Sequence, residues 1–117
     1  MISKELLSEV LERDVDKVKD IEANTLIYGC VHSDGWYDEI NIYELAHKCK
    51  EWAYSQGYII SSGLTPVLGV NKDGWAEVFS SSTPLDGKLH TFKQLSEPEA
   101  IFKASEYILK EIRWEKN

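Results

Sequence analysis

Residues 30–49 read CVHSDGWYDEINIYELAHKC. Cys30 and His32 open the stretch, and His47 and Cys49 close it in mirror order. Both cysteines of the chain and two of its three histidines lie inside it. Three chemistries use such residues: a zinc site, a disulfide, and a thiol nucleophile with a histidine base. Zinc needs four ligands converging at about 2.0–2.3 Å on one point. Cys30 and His32, two apart on a strand, share a face and satisfy this locally. His47 and Cys49, two apart on a helix, lie roughly 200° apart and point to opposite sides. Helical ligand pairs want a spacing of four, so no metal site is expected. A Cys30–Cys49 disulfide is disfavoured by a reducing setting and by the strand face on which Cys30 is expected. Cys30, His32 and Glu39 can be drawn as a Cys-His-acid set on one hairpin face. A flat sheet face, however, offers neither oxyanion donors nor water exclusion.

Other catalytic signatures are absent. Gly63, Gly69 and Gly74 are scattered, and no Lys-Ser/Thr pair follows them as in a phosphate cradle. The acidic groups Asp14, Asp16, Asp20 and Asp34, Asp38, Glu39 match no calcium-loop spacing. His90, in LHTF, reads as a strand residue. No catalytic residue and no cofactor is expected, and the chain reads as a non-enzyme.

The elements that carry these residues follow from periodicity. The chain is 117 residues long, 43% hydrophobic and 28% charged, which suits one globular domain over residues 1–117. Ser3 is placed to cap a first helix with Leu6, Leu7, Val10 and Leu11 on one side. Residues 15–21 alternate in part and residues 26–32 read as a strand. Asp34-Gly35 predicts a two-residue type I′ turn, returning through Trp36 to Ile40. That register pairs Cys30 with Glu39 and Gly29 with Ile40. It puts Ile27, Val31, Trp36 and Ile40 on the core face, and Leu26, Tyr28, Cys30, His32, Tyr37 and Glu39 on the other.

Asn41, with Glu44 at N3, opens a central helix. Its stripe is Ile42, Leu45, Ala46, Cys49, Trp52 and Ala53, and Gly57 ends it. Tyr58 to Ile60 starts a strand that Ser61-Ser62-Gly63 should interrupt. Residues 67–70, an Asn71-Lys72-Asp73-Gly74 turn and residues 75–80 predict a second hairpin, and residues 89–92 a last strand. Ser96, Pro98 and Glu99 open a final helix with Ile101, Ala104, Ile108 and Ile112 as its stripe. The fold class is α+β: a mainly antiparallel sheet built from two hairpins, with three helices on one face and the other face open.

The formal charge of −7 and pI near 4.9 argue against direct contact with nucleic acid or anionic membrane. They favour a basic protein surface. The N-terminal MISKELLSEVLERD lacks an apolar leader, and no run is long enough to span a bilayer. A cytoplasmic setting is expected.

Two stretches, NIYELAHKCKEWAYSQGY (41–58) and SEPEAIFKASEYIL (96–109), resemble a group of small proteins encoded by bacteriophages and prophages. The likeness covers about half the chain and lies in two helices. It implies an origin in phage or mobile elements and a bacterial cytoplasm, and it transfers no catalytic residue. The role it suggests is binding and modulating a host protein, for instance a defence system.

Asp34-Gly35-Trp36 and Asp73-Gly74-Trp75 echo each other as two expected hairpin tips. The contact residues expected on them are Trp36, Tyr37, Asp38, Glu39, Asp73 and Trp75, since Trp and Tyr anchor interfaces. Pairing of open sheet edges in a homodimer is a further expectation. The alternative function is a sponge for a small molecule or nucleotide derivative, with an aromatic-lined pocket.

Overall fold

Helix caps and strand pairings account for the observed elements. In the computed structural model, residues 2–31, 35–66 and 72–115 are described, without the side chains of Asp20, Pro66, Lys72 and Glu115. The order is α1 (Lys4–Leu11), β1 (Val15–Glu22), β2 (Thr25–Cys30), β3 (Tyr37–Asn41), α2 (Ile42–Ser55), β4 (Tyr58–Pro66), β5 (Lys72–Ser80), β6 (His90–Gln94) and α3 (Glu97–Glu115), with a 3₁₀ turn at Pro84–Asp86. Among the described residues the strands form two antiparallel sheets, β1-β2-β3 and β4-β5-β6. The chain is α+β, as its periodicity predicts. The strands divide into two sheets where one was expected.

The helices bridge the sheets. α1 packs on β1, α2 lies against both β3 and β4, and α3 crosses β4, β5 and β6. The molecule measures 46 × 44 × 18 Å. A helix is about 10 Å wide, so this thickness holds one layer of helices on one layer of strands. Both sheets therefore turn their second face to the same side.

The helix starts are capped as read. Ser3 Oγ accepts from Leu6 N at 3.1 Å, and Asn41 Oδ1 accepts from Tyr43 N at 2.8 Å and Glu44 N at 3.4 Å. Ser96 Oγ accepts from Glu99 N at 3.3 Å. Gly57, at φ 94°, follows α2 in the left-handed conformation that glycine tolerates. The whole α2 stripe, Ile42, Leu45, Ala46, Cys49, Trp52 and Ala53, is buried. Ser3 also ties α1 to α3. Its N–H and its hydroxyl both donate to Glu106 Oε1, at 2.9 and 2.7 Å.

The first hairpin departs from the expected register. Gly29 pairs with Tyr37, Tyr28 with Asp38, and Leu26 with Ile40. The two-residue turn at 34–35 predicted Gly29 opposite Ile40, three residues away. His32, Ser33 and Asp34 lie outside the described residues. An odd shift exchanges faces. The core face therefore consists of Leu26 (0% exposed), Tyr28 and Ile40, while Trp36 (78%) and Val31 (48%) are exposed. Burying Leu26 and the Tyr28 ring favours this register. A two-residue turn joins β1 and β2. Ala23 (φ 50°) and Asn24 (φ 63°) are both left-handed, and Glu22 pairs with Thr25 around them. Asn24 O accepts from Ile42 N at 2.9 Å, which anchors this turn to the start of α2.

The second sheet corrects two further expectations. β4 runs unbroken through Ser61-Ser62-Gly63, with Gly63 opposite Trp75. A Cβ on Gly63 would lie 2.8 Å from the Trp75 ring, so the glycine makes room for the indole. Asp73-Gly74 is no hairpin tip. Gly74 pairs with both Leu64 and Gln94 inside β5. A Cβ there would collide with the backbone of Ser96 and Glu97, where α3 begins. The strand expected at 67–70 and Asn71 lie outside the described residues.

Two substitutions test this backbone account. A left-handed L-residue costs roughly 1–2 kcal/mol. Ala23→Gly should raise the melting temperature by a few degrees. Gly74→Ala should lower it by a larger amount, because its obstacle is backbone that cannot rotate away. Thermal denaturation followed by circular dichroism reads both.

Candidate functional site

The mirrored cysteines and histidines separate in space. Cys49 is fully buried under α3. Burial pushes its thiol up to about 12, and a hydrogen bond with Ser105 opposes only part of the rise. His47 faces outward, with Nε2 3.3 Å from the exposed Glu51 Oε1. Cys30 ends β2 half-buried, on the helix side with Tyr28 and Leu26. Neither cysteine is in a disulfide. Glu39 pairs with Ile27 and stands on the opposite face from Cys30, so the drawn Cys30–Glu39 arrangement does not assemble. His32 is outside the described residues. Among the described residues, no three His, Cys, Asp or Glu side chains are grouped to hold a metal ion.

The outer face of the first sheet carries Tyr37, and Trp36 stands just before it, ahead of β3. Trp36 is 78% and Tyr37 44% exposed. Alternation places Tyr37 and Glu39 outward, over Gly29 and Ile27. The Tyr37 ring lies across Gly29, where an added Cβ would be 3.4 Å from it. Lys19 Nζ sits 4.5 Å from the ring centroid, a cation–π contact. Trp36, Tyr37, Gly29, Asp16 and Lys17 border a hollow of about 130 Å³.

Asp38 points the other way. It is opposite Tyr28 on the helix side, and Arg13 Nη1 lies 2.8 Å from its Oδ2. The same Nη1 donates to Tyr28 Oη at 3.1 Å. Asp38 first, and Tyr28 second, raise the Arg13 pKa. Burial raises the Tyr28 phenol, and Arg13 partly offsets that rise. Asp38 thus clamps the α1–β1 connection to the hairpin.

Asp73 and Trp75 share the outer face of the second sheet. Asp73 is exposed opposite Thr65, and Trp75 is half-buried between Gly63 and Lys93. Glu77, 3.7 Å from Lys88 Nζ, and Phe79 continue the row. So four of the six expected contact residues, Tyr37, Glu39, Asp73 and Trp75, lie on the outer side of the strand layer; Asp38 does not, and Trp36 is exposed immediately ahead of β3. The sequence reading missed Phe79, Ile59 and Ile27 on that side. The alternation W-A-E-V-F over residues 75–79 was the available signal, with Ala76 and Val78 buried between outward residues.

Fold and site define a two-layer α+β protein with helices on one side and an open aromatic strand face on the other. Searches against protein-family models, curated proteins and solved structures find no match to the chain. Among the described residues, no helix is long and apolar enough to cross a membrane.

The thiols give a direct check. In native protein at pH 8, a thiol reagent should label Cys30 and spare Cys49, and unfolding should expose the second thiol. Because the folded pKa of Cys49 lies above its ordinary value of 9.0, folding is favoured while the thiol stays protonated. That contribution should decline as pH rises from about 9 towards about 12. Cys49→Ala should lack this component in denaturation curves measured across that range.

Proposed function

We propose that this chain is a non-enzymatic binding protein that docks on a host macromolecule through the outer face of its strand layer and so modulates it. The observation that carries the reading is the exposed Trp36–Tyr37 pair, with Tyr37 on a paired strand beside Glu39 and Trp36 immediately before it. Covering a large apolar side chain is worth roughly 1.5–3 kcal/mol, and Trp and Tyr recur as interface anchors. The backbone of Tyr37 and Glu39 is already held in a paired strand, so binding need not fix it.

The net charge of −7 disfavours a phosphate-rich partner and favours a basic protein surface. The likeness of residues 41–58 and 96–109 to phage and prophage proteins supports a bacterial host protein as the partner. Inhibition of a defence system is one form that modulation would take. A small-molecule sponge is less well supported. Ligand pockets occupy about 300–1,000 Å³. The hollow bordered by Trp36 and Tyr37 holds about 130 Å³, room for one inserted side chain, and the larger hollow of about 660 Å³ beside α1 is walled mainly by charged and polar side chains, with Trp52 as its one aromatic.

Affinity capture from bacterial lysate tests the surface. Wild type and the double variant Trp36→Ala/Tyr37→Ala are compared by quantitative mass spectrometry, after circular dichroism establishes equal folding. The double variant should lose a stoichiometric partner by about tenfold or more, the scale of hot-spot losses. Equal capture of every partner by the two proteins rules this face out.

A further inference from the structure

The chain contains three Asp-Gly pairs, at 34–35, 73–74 and 86–87. In such a pair the glycine main-chain N can close on the aspartyl Cγ, because no Cβ on the glycine obstructs the approach. In a folded protein the closure requires the peptide group between them to turn. Asp73-Gly74 is held against this. Gly74 is buried inside β5, paired with Leu64 on one side and Gln94 on the other, and the backbone of Ser96 and Glu97 lies against it. Asp34 lies outside the described residues.

Asp86-Gly87 is placed differently. It ends the 3₁₀ turn Pro84–Asp86, in the connection from β5 to β6. Asp86 N donates to Thr83 O at 3.1 Å in this single turn, and the hydrogen bonds of 3₁₀ turns are poorly aligned. Gly87 stands at φ 101° and ψ 175°, and a Cβ on it would meet nothing within 4 Å. Leu85 is 99% exposed, and Asp86 is exposed beside it. The Asp86 carboxylate has no hydrogen-bond or ion-pair partner among the described residues. Neither a sheet ladder nor a packed helix has to open for this side chain to reach the next main-chain N.

We propose that Asp86 is a site of spontaneous backbone modification, converting to isoaspartate through a succinimide closed by Gly87 N. The attacking N gives up its proton, a bond forms from N to Cγ, and the carboxyl hydroxyl leaves with that proton as water. Water then reopens the ring. Attack at Cγ restores aspartate. Attack at the former main-chain carbonyl carbon leaves the chain running through Cβ and Cγ. No electrons are transferred, and water is the only co-reactant. The product keeps its charge and adds one carbon to the main chain. That carbon falls in an exposed connection, ahead of Leu89, whose N–H donates to Val78 O at 2.7 Å, so the fold is kept. The modification stands or falls independently of the strand-face reading.

The test holds the full, folded chain in mildly acidic buffer, with circular dichroism establishing that it stays folded throughout. Isoaspartate is located by peptide mapping with mass spectrometry, and by labelling with an isoaspartate-specific carboxyl methyltransferase. It should accumulate in the peptide holding Asp86 roughly tenfold or more faster than in the peptide holding Asp73, since opening a paired strand costs more than opening an exposed loop. In denaturant the two peptides should convert at similar rates. Asp86→Glu should abolish the loop signal, because the larger ring closes poorly. Asp86→Asn should hasten it, with release of ammonia. Equal rates at Asp73 and Asp86 in the folded chain overturn the proposal. So does an Asp86 peptide that stays unmodified in the folded chain while the denatured chain converts.

Discussion

The apolar stripe of α2 is the constraint on which the rest depends. The two sheets share no strand pairing among the described residues, so the strand layer is in two pieces. α2 lies on both β3 and β4, and its Leu45, Cys49 and Ala53 are fully buried. The helix is tied to the first sheet at one residue. Asn41 ends β3, pairs with Thr25, and caps α2 with its side chain. Strand register and helix rotation are thereby coupled. Sliding Asn41 by one position would turn the stripe by about 100° and take it off the second sheet. The bond from Ile42 N to Asn24 O secures the same junction through the β1–β2 turn.

What was legible in the sequence is what local physics decides. The helices announce themselves through a 3.6-residue stripe and a cap, both written within a few neighbouring residues. Ser3, Asn41, Gly57 and Ser96 needed nothing distant to be read. The register of β2 and β3 was not legible, because it balances a local turn preference against burial of Leu26 and Tyr28 under distant elements. The glycines misled for a related reason. Gly63 and Gly74 look like chain breakers, and Gly74 follows an Asp as in a turn. In the fold they lie within paired strands where the Trp75 ring and the start of α3 come too close for a Cβ. The left-handed Ala23 carried no glycine to mark it.

The candidate surface shows the same division. Composition marks Trp36, Tyr37 and Trp75 as possible anchors, but exposure depends on which face each occupies. The register shift of three turned β2 over, bringing Leu26 and Tyr28 inward and Ile27 outward, while on β3 Ile40 stayed inward and Tyr37 and Glu39 outward, as expected. The acidity also proved less uniform than the sequence suggested. Lys17 and Lys19 stand among Asp16, Tyr37 and Glu39 on the strand side. The denser carboxylates belong to the helix side, around Trp52.

Arg13 connects these two regions. It borders the carboxylate groove, bonds the Tyr28 phenol, and holds Asp38, the residue between Tyr37 and Glu39. Its guanidinium carbon also lies 5.7 Å from the Tyr28 ring centroid. Arg13 and Asp38 are each about half exposed, so the ion pair alone contributes little to stability. Its effect is positional. A planar guanidinium bonded to two partners has fewer orientations than one bonded to either alone. Holding Asp38 inward leaves its neighbours in strand alternation outward. The aromatic face is therefore set partly from the other side of the sheet, by a residue of the α1–β1 connection that never reaches it.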